Sequence, residues 1–452
     1  MRQQHSLCKK FLHYAMLNVL GMVGLSCYIL ADTFFISKSL GANGLAALNL
    51  AIPVYSFIHG CGLMLGMGGA TRYSVLQGQG SSHLHETRAV FLHTLYMLIV
   101  FAVLFVLLGI FCSGSITALL GANEEIFSMT RIYLQVILLF SPAFLLNEVL
   151  ICFIRNDGNP RLAMFGMLLG SFSNIVLDYV FLFLLHLGIF GAVLATGFAP
   201  LLSMAVLSVH WISGKNSAAL TPNKLFTGQG SGKTSFSWLS LTAQILSLGI
   251  PFLVSEVAAG VVMIVFNFLI LSLQGNIGVA AYGVIANLSL VVNSIYNGIA
   301  QGMQPLTSQA YGQTMTPNIP SNALQQIFRY ALLTVLFVSA VIYSGIFLLA
   351  DPITHIFNSE QNTILQEIAV LGLRLYFISI PFAGFNILLA TFFTSTMKAL
   401  PAQVISLLRG LLLVLPLAFL LSALAGINGV WLTLPLTEAI VALIGIGLIR
   451  RK

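Results

Sequence analysis

The sequence predicts an all-α integral membrane protein made of two related six-helix bundles. Only 7% of its residues are charged and 58% are hydrophobic. The apolar residues form continuous runs of about 20, enough for a helix to cross a bilayer. The chain also repeats itself at a nearly fixed offset. A soluble chain of 452 residues could not solvate such a surface. Barrel strands would alternate apolar and polar residues, which these runs do not.

Twelve spans are expected, at residues 11–37, 44–70, 89–112, 130–153, 162–185, 188–210, 243–272, 279–304, 328–349, 366–394, 402–423 and 427–449. With the N-terminus inside, sixteen Lys and Arg residues fall at inner ends, among them Lys9, Lys10, Arg155 and Arg409. Lys38 and Arg131 fall outside, and Arg374 lies within a span. That asymmetry places both termini in the cytoplasm. The net charge of +7 therefore reports topology, and nucleic acid is not an expected partner. Lys9 and Lys10 precede an apolar stretch without a small-residue cleavage site, so the first span reads as an uncleaved helix.

The longest polar stretch divides the chain into an N-terminal lobe (1–213), a linker (214–238) and a C-terminal lobe (239–452). An offset of 234 aligns residues 44–80 with 278–314 without a gap, matching Gly44/Gly278, Gly68/Gly302, Ser74/Ser308 and Gly78/Gly312. LGIFG at 187–191 echoes AGING at 425–429 at a slightly larger offset. Six spans per half give both halves one orientation, hence a pseudo-twofold axis along the membrane normal. Two bundles facing each other across a central cavity suit alternating access.

Asp32 and Asp178 sit inside spans, where a carboxylate costs ~2.5–3.5 kcal/mol on insertion scales. Such residues mark functional sites. Asn174 and Asp178 share one helix face, as do Tyr28 and Asp32, each pair being four residues apart. At ~1.5 Å of rise per residue, Asp32, Asp178 and Thr196 reach similar depth, with Asn174 one turn deeper. Two carboxylates, an amide oxygen and a hydroxyl suit a hard cation such as Na+. The same carboxyls can carry a proton instead, and a third reading has each aspartate merely hydrogen-bonding a neighbour. Glu256 lies near mid-membrane after Pro251, open to ligand contact or a structural hydrogen bond. Glu148 lies beside Asn147 near an inner end, within reach of water or Arg155, and a structural role is favoured. Arg374 is expected to turn toward an interface or toward Glu367, and Glu438 has no assigned role.

The five cysteines are isolated, with neither CxxC nor zinc spacing. TGQGSGKT at 227–234 has Thr227 where a phosphate-binding loop needs glycine, and reads as linker. The nine histidines are scattered, and no H-E-x-x-H or G-x-S-x-G occurs. An enzyme is not expected, and no cofactor is expected beyond a coupling ion. Prolines within the spans, such as Pro53, Pro142, Pro200 and Pro435, permit kinks.

Across nearly its whole length the chain resembles the multidrug and toxic compound extrusion (MATE) family. The resemblance rests on ADTFFISKSLGANGLAALNLAIPV (31–54), GMGGATRYSVLQGQG (66–80), RNDGNPR (155–161), SNIVLDYVFLF (173–183), GIFGAVLAT (188–196), GIPFLVSE (249–256) and QPLTSQAYGQ (304–313). It implies a V-shaped pair of six-helix bundles exporting organic cations or drugs by antiport with H+ or Na+. It implies an ion site at Asp32, Asn174, Asp178 and Thr196. Polar cavity contacts are implied at Tyr28, Tyr133 and Asn147, with Glu256 matching a carboxylate of some members. Those members also carry an aspartate in the tenth span. None lies between Arg374 and Ser395 here, so a C-lobe ion site is not expected. A monomer in the inner membrane of a bacterium, surrounded by lipid, completes the expectation. The alternative is a flippase for lipid-linked precursors, which would need cavity arginines or lysines. Arg374 is the one basic candidate that the span assignment leaves in the membrane.

Overall fold

The computed structural model describes residues 2–212, 237–315, 322–358 and 361–450. Most of the expected linker, and the TGQGSGKT segment within it, lie outside the described residues. The described residues are helical throughout. In chain order they form α1 (Arg2–Gln79), α2 (Leu84–Phe111), α3 (Ser113–Leu119), α4 (Glu124–Leu139), α5 (Ser141–Asn156) and α6 (Pro160–Tyr179). α7 (Gly188–Leu207), α8 (Trp238–Thr314), α9 (Asn322–Phe357) and α10 (Thr363–Tyr376) follow. α11 (Ile380–Ser395), α12 (Ala399–Leu407) and α13 (Val414–Arg450) complete the chain.

Eight helical stretches are long and apolar enough to cross a membrane, and α4 with α5, bent by 48°, forms a ninth crossing. Three of the eight contain a break, at Gly41, Gly275 and Gly426, which yields the twelve crossings expected. Gly41 adopts φ 65, ψ −154 and Gly275 adopts φ 61, ψ −155. Only glycine reaches that conformation cheaply. The two breaks stand 234 residues apart, the offset of the sequence repeat, and Gly188 and Gly426 repeat a positive φ 238 apart. The repeat in sequence is thus a repeat in backbone geometry.

Prolines bend the helices where neighbours can repair the damage. Pro251 cannot donate to the carbonyl of Ser247, four residues earlier. Gln403 of α12 donates its Nε2 to that oxygen at 2.7 Å. α6 starts where Asn159 accepts from the Leu162 amide at 3.3 Å, with Pro160 in the first turn. Two π-helical turns, Val180–Leu184 and Leu408–Leu412, interrupt the fifth and eleventh crossings. Such turns admit one extra residue and concentrate at functional sites.

Two apolar cores are separate. One collects residues from Ile36 to Val193 together with Leu241 and Ile245, the other Phe266 to Trp431 together with Phe11, Tyr14 and Ala15. The start of each lobe's first helix therefore packs into the opposite lobe. The lobes meet at a glycine seam. A Cβ on Gly68 would lie 2.1 Å from the Ile245 carbonyl oxygen, and one on Gly302 would lie 2.6 Å from the Ala15 Cα. Gly78 faces the Gln309 carbonyl and Gly312 the Val75 carbonyl, at 2.2 and 2.1 Å by the same measure. These contacts map onto one another under the 234-residue offset, so the pseudo-axis runs through the seam.

Polar groups stitch the same seam. The fully buried Arg155 donates to Asn18 Oδ1 at 2.8 Å and to Gln301 Oε1 at 2.7 Å. Asn156 donates to Gln304 Oε1 at 2.9 Å, and Gln304 donates to Thr71 at 3.1 Å. Behind it, Asp157 accepts from Tyr73 and Gln77 and pairs with the buried His210 at 2.8 Å. The Arg155 guanidinium spends its hydrogen bonds on Asn18 and Gln301, and it reaches Glu148 only through space.

Candidate functional site

Asp32 on α1 and Asp178 on α6 are buried and lie within hydrogen-bonding reach of each other. Asn174, one turn before Asp178, is fully buried beside them. With its amide oriented to satisfy both ends, Asn174 Nδ2 donates to Asp178 Oδ2 at 3.0 Å and its oxygen accepts from the Thr196 amide at 3.2 Å. The Thr196 hydroxyl donates to the Ala192 carbonyl at 3.2 Å, which leaves its lone pairs turned to the site. Tyr133 lies near Asp32 and Asp178 and within hydrogen-bonding reach of Thr196. One oxygen of each carboxyl, Asp32 Oδ1 and Asp178 Oδ1, has no partner although both are buried.

The fold explains this convergence. The π-turn begins two residues after Asp178 and alters the helix phase there. Pro200 on α7 cannot donate to the Thr196 carbonyl, so a further oxygen is freed at the same level. Two buried carboxyls in contact cannot both stay ionised without a counter-charge, so the set is built to take a proton or a small hard cation. Among the described residues no three His, Cys, Asp or Glu are placed to hold a metal ion together, and the oxygens gathered here are of mixed type.

Beside this set opens a small cleft, lined by Tyr28, Tyr55, His59, Asn147, Glu148 and Thr196 among others. Tyr28 and Tyr55 join their hydroxyls at 2.9 Å, bridging α1's two arms between the aspartates and the cleft. Tyr28 and Asn147 line the cleft. Tyr133 is not among the lining residues and sits instead beside Asp32, Asp178 and Thr196. Glu256 is set apart too. The second arm of α1 stands between it and the cleft, Gly60 packing on Glu256 and Gly62 on Glu148. Sequence reasoning missed Tyr55 and His59, whose i, i+4 spacing on one helix face was the available signal.

The C-terminal lobe differs. At the offsets of 234 and 238 residues, Asp32, Asn174, Asp178 and Thr196 correspond to Phe266, Leu412, Pro416 and Leu434. None carries a side-chain oxygen. Instead Arg409, on the second π-turn, donates to Glu438 at 2.7 Å through Nη2 and 3.1 Å through Nε. Asn386 Nδ2 adds a 2.7 Å bond to the same carboxylate. Arg409 is thus a mid-helix interior residue and not an end-of-span charge, and Glu438 gains its role as partner. Arg374 is not the one intramembrane cation, and its guanidinium lies 5.1 Å from the Phe347 ring centre, not on Glu367. A buried pair is costly to break and cheap to replace whole. Arg409→Met alone is expected to cost about 3–5 kcal/mol. Arg409→Met with Glu438→Leu should restore most of the melting temperature in detergent.

The MatE family profile matches residues 19–180 and 251–420. The chain belongs to the MatE family. Among curated relatives, the multidrug export protein MepA of Staphylococcus saprophyticus is 24% identical over 432 residues, covering 95% of this chain and 90% of that protein. MepA of Staphylococcus aureus strain NCTC 8325 is 25% identical over 423 residues, covering 93% and 89%. A multidrug resistance MATE transporter of the MOP superfamily, solved in an outward-facing conformation, superposes with a TM-score of 0.88 at 21% identity, covering 98% and 95%. The Vibrio cholerae MATE transporter VcmN superposes at 0.85 with 21% identity, covering 100% and 99%. The twelve-helix, two-lobe architecture of this MatE protein is therefore that of the solved MATE transporters, and it belongs with transporters and not with enzymes.

Proposed function

We propose that this chain is a secondary active multidrug efflux antiporter. It exports organic, cationic amphipathic compounds in exchange for H+ or Na+ by alternating access. It does so in the cell membrane, both termini cytoplasmic. The observation that carries the reading is the contact between Asp32 and Asp178, two buried carboxyls on separate helices with unpartnered oxygens. Binding a proton or Na+ there relieves their repulsion and changes how α1 packs on α6. An ion couples to cargo only through different affinities in the two conformations, and equal affinity shifts nothing. The MepA relatives support drug export as the activity. The lipid-linked precursor reading needs free cavity cations, whereas Arg155 and Arg409 are both engaged by neighbouring side chains.

Dye efflux from energised membrane vesicles, with Na+ and pH gradients imposed separately, tests the reading. One gradient should drive dye movement against its own concentration and the other should not. If efflux follows neither gradient, or requires ATP, the antiport reading is wrong.

A further inference from the structure

Glu148 is a carboxylate that no side chain contacts directly, with His59 and Arg155 the nearest positive groups. It sits half-buried on α5, in the inner half of the fourth crossing, and lines the cleft. Among the described residues it has no hydrogen-bond or ion-pair partner. Arg155, two turns on along the same helix, spends its hydrogen bonds on Asn18 and Gln301 and acts on Glu148 only through space. The other titratable groups facing Glu148 are His59 and Glu256 on either side of the α1 arm, and Cys152 on its own helix. A carboxylate without a direct partner in a membrane-spanning helix is expensive and marks a ligand path.

The cleft around it has the matching chemistry. Tyr55 and Phe144 meet edge to face at 5.5 Å between centroids, and Tyr28 and Met167 continue the apolar wall. Aromatic faces around a carboxylate recognise a cation carried on an apolar body. Ser203 lines the same cleft, is buried, and its hydroxyl has no partner. Asn147 Oδ1 and His59 Nδ1 are also unpartnered there. Asp32 and Asp178 are not among the residues that line the cleft.

We propose that Glu148 receives the cationic group of an amphipathic aromatic cargo, in a site separate from the Asp32/Asp178 ion site. This rests on the antiport reading above and assigns cargo and ion to different carboxyls. The Tyr28–Tyr55 hydrogen bond is the structural link between them. Cargo and ion then need not compete for one charge, and the two sites communicate through the packing of α1.

The test uses the full chain in lipid nanodiscs with ethidium as the cation and 1-N-phenylnaphthylamine as a neutral aromatic of similar bulk. Glu148→Gln should raise the ethidium Kd about tenfold or more and the neutral probe's Kd less than about twofold. Glu148→Asp, which keeps the charge, should recover most of the ethidium affinity. In wild type, saturating ethidium should protect Glu148 from dicyclohexylcarbodiimide, read by peptide mass spectrometry, which holds even if a variant fails to fold. Unchanged ethidium binding by Glu148→Gln, equal loss of both probes, or unprotected Glu148 overturns the proposal. Wild-type efflux with unchanged Glu148→Gln binding refutes this assignment alone. Glu148-dependent binding without ion-driven efflux refutes the antiport reading alone.

Discussion

Asp178→Asn is expected to abolish ion-driven efflux while leaving a folded protein that melts no lower than wild type. The amide is isosteric and can still accept from Asn174 Nδ2, whose bond to Oδ2 is 3.0 Å long. What it loses is the negative charge, and with it the ability to take a proton or to neutralise Na+. Removing one charge from a buried polar cluster costs a bound ion about 3 kcal/mol or more. That is roughly a 100-fold loss of ion affinity. An ion that no longer distinguishes the two conformations cannot drive transport. The same substitution also removes the repulsion between two buried carboxyls, so thermal stability should hold or rise, the usual exchange of stability for function. Asp32→Asn should behave alike, because its Oδ1 is likewise buried without a partner. Initial efflux rates in vesicles and melting curves in detergent measure both halves. An Asp178→Asn transporter that pumps at the wild-type rate would sink the ion-site assignment.

The convergence of Asp32, Asn174, Asp178 and Thr196 was legible in the sequence because cost and depth are local properties. A carboxylate in an apolar run is conspicuous, and ~1.5 Å of rise per residue places it against its neighbours. The seam was legible through the 234-residue offset, since only glycine matches at Gly68/Gly302 and Gly78/Gly312 survive the close approach. What escaped depends on which helices meet. Arg155 ends a span, so sequence places it at the water, but the opposite lobe closes over it with Gln301. Arg409 and Glu438 are 29 positions apart on different helices, and no periodicity links them. Arg374 and Glu367 share a helix face, yet seven residues put them about 10 Å apart, and Phe347 from the neighbouring helix is nearer. The π-turns after Asp178 and around Arg409 leave no compositional trace.

Alanine at Gly78 or Gly312 is expected to have the second large effect, on the conformational equilibrium. The new Cβ would stand 2.2 Å from the Gln309 oxygen or 2.1 Å from the Val75 oxygen. Neither obstacle is a flexible side-chain tip. Both are helix carbonyls already fixed by backbone hydrogen bonds, so relief requires the lobes to separate. Overpacking a tight contact costs about 1–3 kcal/mol. Applied to one conformation only, that penalty shifts its population by roughly 5- to 150-fold. The variants should therefore spend most of their time with the seam open, and efflux should fall about tenfold or more. Ser308→Cys, buried at the seam, reports the change once the five native cysteines are replaced by alanine. Its maleimide labelling should be slow alone and fast with Gly312→Ala. Gly260 and Gly283 supply the contrast, since a Cβ on either meets nothing within 4 Å. Alanine there should leave labelling unchanged and stabilise its helix by about 0.5–1 kcal/mol. Equal labelling in the Gly312→Ala and Gly260→Ala backgrounds would mean that the glycine seam does not hold the lobes together.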